Sequence, residues 1–136
     1  MRPLARDARV LPGQGGIFMD AKELYARLKP LQEKQGFLFN PDESYTMPLL
    51  EGLLVNKERY GYMACPCRLA AGQYDKDRDI ICPCAYRAED VAEYGACYCA
   101  LYVSEGYCEG KTERCTVPER RPADKIQEAL MASLGC

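Results

Sequence analysis

Three units of two cysteines each follow one another along the chain: Cys65-Pro66-Cys67, Cys82-Pro83-Cys84 and Cys97-Tyr98-Cys99. Fourteen residues separate the first unit from the second, and 12 separate the second from the third. Residues i and i+2 of an extended backbone point to the same side, so each unit can direct two sulfurs to one place. The two central prolines fix their own φ and bias the preceding cysteine toward extended geometry. The sequence therefore predicts that six thiols converge from three loops.

Cysteine and histidine usage restricts the chemistry open to this chain. Its 136 residues include nine cysteines and no histidine. Without an imidazole, Ser-His-Asp and Cys-His catalysis, mixed Cys/His zinc sites, Rieske clusters and haem on a proximal histidine are all excluded. A metal would have to be bound mainly by cysteine sulfur, and carboxylate oxygens are the other available ligands.

Charge and hydropathy predict a cytoplasmic protein that binds neither nucleic acid nor a membrane. The formal net charge is −2, so no basic field favours nucleic acid. No stretch approaches the ~20 apolar residues that cross a bilayer, and the first seven residues, MRPLARD, lack the apolar segment of a secretory signal. In a reducing compartment the cysteines should be thiols, metal ligands or redox groups rather than structural disulfides.

Helical patterns dominate the rest of the chain and predict one mainly α domain of short helices and loops over residues 20–136. A flexible, glycine-rich arm is expected over residues 1–19. The first helix should begin near Asp20, be kinked or interrupted at Pro30 and stop by Gly36. Its predicted buried face consists of three leucines spaced at i, i+4 and i+7: Leu24, Leu28 and Leu31.

A second helical region should begin at the capping sequence NPDE, residues 40–43, break at Pro48, resume to about Arg59 and end at Gly61. A short helix is predicted at residues 87–94. A final helix after Pro122 should bury one apolar face, made of Ile126, Leu130 and Leu134.

Six convergent thiols exceed the needs of one metal centre, because a [4Fe–4S] cluster and a structural zinc each take four cysteines. Two thiols would remain beside the metal, where they can form a disulfide next to an electron carrier. Choosing two sulfurs from six leaves fifteen possible pairs. The competing interpretations are a structural zinc site, for which C-x-C spacing is tight, an iron–sulfur cluster that only stabilises the fold or carries electrons, and a chance grouping of buried cysteines.

The ordered units resemble the signature CPC…CPC…CHC of the catalytic subunit of ferredoxin:thioredoxin reductase and of the related ferredoxin:disulfide reductases. Arg68, directly after the first unit, and the preceding segment NKERYGY, residues 56–62, are also similar to the family pattern. The resemblance covers roughly residues 38–118. It implies a compact, mainly helical fold around one [4Fe–4S] cluster.

The resemblance also implies a role for each of the six cysteines. The redox-active pair would be Cys67, the exposed thiol that attacks the target disulfide, and Cys99, which interacts with the cluster once the active-site disulfide opens. By position in the pattern, the cluster ligands would be Cys65, Cys82, Cys84 and Cys97.

The implied activity is reduction of a disulfide in thioredoxin, or a thioredoxin-like protein, with electrons from ferredoxin. Ferredoxin delivers one electron at a time, whereas a disulfide needs two. The cluster would therefore hold one thiol after the first electron, until the second electron arrives. Plant-type ferredoxins lie near −400 mV and thioredoxin near −270 mV, a difference of about 6 kcal/mol for two electrons. The alternative is a non-catalytic iron–sulfur carrier or structural metal-binding protein. The family resemblance also leaves open a second subunit, which plant-type enzymes have.

The chain departs from the family pattern at several positions. The first spacer is shorter and the second longer than in plant-type enzymes, which predicts altered loops near the site. Tyr98 replaces the family histidine, and by that position we place it with Cys67 and Cys99 among the catalytic residues. With an ordinary pKa of about 10 it is a poor base at neutral pH, so it would either donate a hydrogen bond or only pack. Cys108 and Cys115 are additional and would form a second dithiol or remain free or structural thiols. Cys136 is expected to be a bystander.

Ferredoxins are usually acidic, so the resemblance predicts a basic docking surface on this chain. A solvated face with no docking role would explain the same basic residues equally well. Arg68 is the best candidate for a local role, because it follows Cys67 and a nearby cation lowers the pKa of a thiol. Arg87 flanks the second unit. The basic residues of the candidate surface are Lys111, Arg114, Arg120, Arg121 and Lys125.

Overall fold

Helices form most of the regular structure in the residues that the computed structural model describes, 19–111 and 116–134. The two short strands there, β1 (Leu38–Phe39) and β2 (Tyr102–Val103), pair antiparallel. The predicted mainly α class is therefore confirmed. The helices are α1 (Ala21–Lys34), α2 (Glu43–Tyr60), α3 (Tyr74–Asp77), α4 (Arg87–Tyr94), α5 (Glu105–Cys108) and α6 (Ala123–Leu134), with a 3-10 turn at Arg78–Ile80 between α3 and α4.

The predicted N-terminal arm lies outside the described residues except for Met19, which packs against the main core. None of the helices in the described ranges is both long and apolar enough to cross a bilayer.

Helix α1 begins where the capping pattern predicts, because the Asp20 carboxylate accepts a hydrogen bond of 2.9 Å from the backbone N–H of Glu23. The predicted interruption at Pro30 is wrong: the helix runs through it to Lys34. The proline removes one backbone donor, and packing of the helix against α2 outweighs that loss. Leu31 is 56% exposed, contrary to the predicted face, and the next residue, Gln32, is buried instead.

Helix α2 is continuous, so the predicted break at Pro48 is also wrong. Its N-cap is Asp42, which accepts a hydrogen bond of 3.0 Å from the Ser44 N–H. The start therefore lies two residues later than the NPDE pattern predicts. The helix ends as expected at Gly61, whose φ of +87° favours glycine. Two fully buried leucines hold it on the core: Leu50 and Leu53.

Helix α4 has the predicted bounds, but the predicted buried face of α6 is wrong in part. Ala129 is the residue of α6 that is fully packed. Leu130 is 44% exposed and Leu134 is 72% exposed. A periodic leucine pattern predicts a helix face, but burial depends on whether another element covers that face.

The main hydrophobic core includes the cysteine loops. Tyr102 stacks on Phe39, which in turn stacks on Tyr25, with ring centroids 5.2 and 4.7 Å apart. This core combines three leucines from the helices, and Leu101 before β2, with three of the six cysteines: Leu24, Leu50, Leu53, Leu101, Cys65, Cys97 and Cys99.

A close approach between α2 and the first cysteine unit requires glycine at position 52. A Cβ added to Gly52 would lie 2.8 Å from the Pro66 Cβ, closer than two such atoms pack. The missing side chain therefore lets the first unit rest directly on the helix.

Arg121 fixes the segment between the first and second cysteine units. Its buried guanidinium donates from Nε to the Asp79 carboxylate at 2.9 Å. It also donates to the backbone carbonyls of Leu69 and Lys76, at 3.2 Å each. One side chain thus joins the chain before α6 to both ends of the inter-unit loop.

Replacing Arg121 with methionine should lower the free energy of unfolding by about 3 kcal/mol, because it leaves the largely buried Asp79 charge and two carbonyls without their donor. Burial opposes ionisation of Asp79, but hydrogen bonds from Tyr86 and Arg121 lower its pKa below 3.8. The destabilisation caused by Arg121→Met should therefore be present above pH 3.8. It should disappear as the pH falls through the lower pKa that Asp79 has in the folded protein. Urea unfolding at several pH values measures it.

Arg78→Gln is the matched control, since Arg78 is adjacent to Asp79 but its side chain is 69% exposed. This variant should unfold close to the wild-type midpoint. Equal destabilisation by both variants would show that Arg121 does not anchor the loop.

Candidate functional site

A short antiparallel bridge joins the first and second cysteine units. The backbone N–H of Cys65 donates to the Ile80 carbonyl at 2.8 Å, and the N–H of Cys82 donates to the Met63 carbonyl at 2.8 Å. Ala64 and its partner Ile81 form the bridge itself. Both units therefore enter the site at a fixed separation.

The third unit is held by β2 and by a tight turn. The N–H of Cys97 donates to the Tyr102 carbonyl at 2.9 Å, and the N–H of Tyr102 donates to the Cys97 sulfur at 3.3 Å. Ala100 closes the turn in the left-handed region, with φ of +62°, and donates to the Cys97 carbonyl. The Asn40 side chain donates to the Ala100 carbonyl at 3.0 Å. This turn places Cys97 and Cys99 on the same side.

Sulfurs of the first and third units are in contact. The Sγ of Cys99 lies 3.8 Å from that of Cys65 and 4.0 Å from that of Cys97. Each of the six cysteines of the three units carries a free thiol. Among the described residues no three Cys, Asp or Glu side chains have the geometry of a site for a single metal ion. The predicted convergence of the cysteine units is confirmed, and Cys99 lies between two of the predicted ligands.

Exposure separates one of the six sulfurs from the others. Cys67 is exposed, whereas Cys82 and Cys84 are half-buried. The remaining three cysteines are buried in the core: Cys65, Cys97 and Cys99. Of the six, Cys67 is therefore the sulfur that a large molecule can reach.

Mutual hydrogen bonding gives these thiols different acidities. The thiols of Cys65 and Cys99 donate to the Cys67 sulfur and lower its pKa, and the nearby Arg68 charge acts in the same direction. The pKa of Cys99 rises because its proton is shared with its neighbours. Burial raises the pKa of Cys82 and of Cys84. A negative charge is thus favoured on the accessible sulfur.

A cavity of about 480 Å³ opens over the two sulfurs of the predicted redox pair, Cys67 and Cys99. Its walls are partly aromatic and partly aliphatic, formed by Tyr45, Tyr98, Tyr107 and Val117. The predicted ligands do not line it. The cavity therefore gives a reactant access to the pair and not to the remaining four sulfurs.

Arg68 lies buried between two tyrosine rings beside the cysteines. Its guanidinium carbon is 4.4 Å from the ring centroid of Tyr98 and 5.0 Å from that of Tyr86. It forms an ion pair with Glu119 through one nitrogen. Its Nε and Nη2 have no hydrogen-bond partner among residues 19–111 and 116–134. Such unpaired buried donors fit an anionic group at the neighbouring sulfurs.

Tyr98 packs its ring against Arg68 and also lines the cavity. The packing role left open by the sequence is therefore observed. Its predicted place among the catalytic residues stays a prediction.

The candidate basic surface is not free for docking at two of its positions. Arg121 is buried on Asp79, and Arg120 pairs with Asp90 at 2.8 Å. Both side chains hold elements of the fold together, so the expectation of a docking role is wrong for them. Arg114 lies outside the described residues, as do Cys115 and Cys136.

Several residues of the site carry no sequence signal that identifies them. Tyr45 and Tyr107 reach the cavity from α2 and α5 and belong to none of the three cysteine units. Glu119 reaches Arg68 from 51 positions away. Tyr86 offered a weak signal, because it lies two residues after the second unit.

Comparison with known proteins agrees with the resemblance carried by the cysteine units. A family profile described as the ferredoxin thioredoxin reductase catalytic beta chain matches residues 20–125. A curated relative from Porphyra purpurea, the ferredoxin-thioredoxin reductase catalytic chain, is 32% identical over 77 residues. That alignment covers 53% of this chain and 59% of the relative, so the chain spans less than two thirds of that protein's length. Since the profile covers most of the sequence, the chain belongs to the family of ferredoxin thioredoxin reductase catalytic beta chains.

Proposed function

We propose that this chain reduces a disulfide in thioredoxin or a thioredoxin-like protein with electrons from ferredoxin. The observation that carries the proposal is the placement of two sulfurs at one cavity. Cys67 is exposed there, and Cys99 lies behind it in contact with Cys65 and Cys97. An accessible nucleophile backed by a buried resolving thiol is the arrangement that disulfide exchange requires.

A [4Fe–4S] cluster would be held by the four sulfurs that do not line the cavity. Bound there, it would supply storage for single electrons beside the redox pair. The donor set fits, since it consists of thiols alone. Arg68, which is buried and has two nitrogens without a partner among the described residues, interacts electrostatically with Cys84 and Cys65. The proposed ligands are Cys65, Cys82, Cys84 and Cys97.

Cys67 carries out the first exchange step. Its thiolate attacks one sulfur of the target disulfide, so that a new S–S bond forms between Cys67 and the target while the target's own S–S bond breaks. The released target sulfur leaves as a thiolate and takes a proton from water. The neighbouring Arg68 charge, which acts to lower the pKa of Cys67, favours the attacking thiolate.

Cys99 carries out the second step. Cys99 gives its proton to water and attacks the Cys67 sulfur as a thiolate, so that a Cys67–Cys99 bond forms while the bond between Cys67 and the target breaks. The second target sulfur leaves as a thiolate and takes up a proton, which completes the reduced target. Two electrons from ferredoxin and two protons then restore both thiols. Burial keeps Cys99 away from solvent oxidants while Cys67 is occupied.

Arg68 and Tyr98 act on this chemistry as positioning residues. The Arg68 charge favours the Cys67 thiolate, and the Tyr98 ring holds Arg68 in place by cation–π contact.

In the same proposal the chain works in the cytoplasm, where thiols are kept reduced. In this proposal a second subunit would contribute no residue to the site, because this chain supplies all six cysteines.

The test is purification under nitrogen, followed by iron and zinc analysis and an assay of thioredoxin reduction by reduced ferredoxin. We expect about four irons per chain and ferredoxin-dependent formation of thioredoxin thiols. After oxidation, alkylation and peptide mapping should find two thiols newly protected, Cys67 and Cys99.

Other results would point to the alternatives. Colourless protein that carries zinc would indicate a structural metal site. Iron–sulfur protein with no protected thiol pair and no disulfide reduction would indicate an electron carrier or a structural cluster. Either result would overturn the proposal.

A further inference from the structure

A second buried arginine near the cysteine units is not among the residues that line the cavity. Arg87 is the first residue of α4, three positions after Cys84, and it is 6% exposed. Its guanidinium carbon lies 3.8 Å from the Phe37 ring centroid and 4.7 Å from that of Tyr102. Neither the predicted redox chemistry nor the hydrophobic core by itself explains a cation at this place.

The hydrogen-bond partners of Arg87 are neutral. One nitrogen donates to the Gln32 side-chain oxygen, and another donates to that of Gln35 at 3.1 Å. In the part of the chain that the structure describes, no carboxylate lies within ion-pair distance of Arg87. A buried guanidinium is costly unless an anion balances it. The two amides orient the group but leave its charge uncompensated.

Arg87 is joined to the second and third cysteine units by direct contacts. Its backbone N–H donates to the Cys84 carbonyl at 3.3 Å. Its guanidinium packs on the ring of Tyr102, whose own N–H donates to the Cys97 sulfur at 3.3 Å. Cys82 packs against the same core as Tyr102 and Cys97. The uncompensated charge therefore lies beside proposed ligands and not beside the redox pair.

We infer that Arg87 is a fixed positive charge that balances the thiolate ligand set and favours the reduced cluster. This inference rests on the proposed function, because it needs a cluster at these cysteines. Adding an electron makes the centre more negative, so a buried cation beside it stabilises the reduced form more than the oxidised form. Arg87 would thus raise the reduction potential and make electron uptake from ferredoxin easier.

A purely structural role makes a different prediction at Arg87 itself. Arg87→Lys keeps the positive charge but not the paired hydrogen bonds to Gln32 and Gln35. If Arg87 only fills space and holds α1 to α4, Arg87→Lys and Arg87→Met should change the cluster potential alike, whereas a charge that acts on the cluster is lost only in Arg87→Met. Gln32→Glu adds a negative charge beside the guanidinium and shows whether charge at this place reaches the cluster.

The experiment is a potentiometric titration of anaerobically purified protein, with the cluster monitored by visible absorbance and iron measured per chain. For Gln32→Glu and for Arg87→Met we expect at least a tenfold fall in the ratio of reduced to oxidised cluster at a fixed potential, which is about 59 mV for one electron. Arg87→Lys should retain most of the wild-type potential. Gln35→Glu should shift it less, because position 35 is exposed and water screens its charge.

The outcomes separate the two proposals. Wild-type protein without iron would overturn the proposed function and this inference together. Wild-type protein with its cluster, and a Gln32→Glu variant with full iron and an unchanged potential, would overturn the inference alone. Should Arg87→Met fail to fold, Gln32→Glu and Arg87→Lys still decide the question.

Discussion

Replacing Cys67 with serine should lower the rate of ferredoxin-dependent thioredoxin reduction by at least about 1,000-fold while leaving the iron content unchanged. A serine hydroxyl is not ionised near neutral pH and cannot form a disulfide, so the first exchange step is lost. Cys67 is the exposed member of the six cysteines and lies outside the proposed ligand set. The variant should therefore keep the visible absorbance of the cluster. Initial rates of thioredoxin thiol formation, with iron analysis of the same sample, measure both quantities.

Cys108→Ser is the matched control for this experiment. Cys108 is also exposed, at the end of α5, and it is not among the residues that line the cavity. We expect this variant to reduce thioredoxin at close to the wild-type rate. If Cys67→Ser kept its activity and Cys108→Ser lost it, the nucleophile would have to be reassigned to the additional cysteines, as in the second-dithiol interpretation.

Replacing Cys99 with serine should trap the protein covalently on its target. Cys67 remains and can attack the target disulfide, but the thiol that resolves the mixed disulfide is absent. We therefore expect most of the reduced variant to accumulate as a one-to-one adduct with an oxidised thioredoxin, whereas the wild type accumulates almost none. Non-reducing electrophoresis and intact-mass analysis detect the adduct, and dithiothreitol should release it.

The double variant Cys67→Ser/Cys99→Ser provides the control, because it should form no adduct at all. Peptide mapping should place the target on Cys67. An adduct on Cys65 or Cys97, which both neighbour Cys99 in space, would show that the assignment of ligands and redox pair is wrong.

The main features of the site were accessible to sequence reasoning because they depend on local geometry. Proline between two cysteines favours extended backbone, and extended backbone places both sulfurs on one side. The cap at Asp20 and the stop at Gly61 also follow from local chemistry, and the structure has both. Family resemblance, carried by the same units, supplied the expected roles of the sulfurs.

Other features depend on packing that the sequence does not display. Pro30 and Pro48 lie inside continuous helices, because contacts with the rest of the fold outweigh one missing backbone donor. Leu134 is exposed although its spacing is that of a buried face. Arg121 and Arg120, which suggest a basic surface when the sequence is examined alone, are partnered by acidic residues 42 and 30 positions away. Long-range pairing of this kind cannot be deduced from one sequence.

The unequal exposure of chemically identical thiols also provides a way to count competent molecules. In a background where Cys108, Cys115 and Cys136 are serine, a bulky maleimide would reach Cys67 before any sulfur of the interior. Chains that are modified once, counted by intact mass, then give the fraction of molecules with a folded, reduced centre, because an unfolded chain would be modified at several cysteines. Turnover can thus be expressed per working site rather than per chain, as an acylating titrant allows for serine hydrolases.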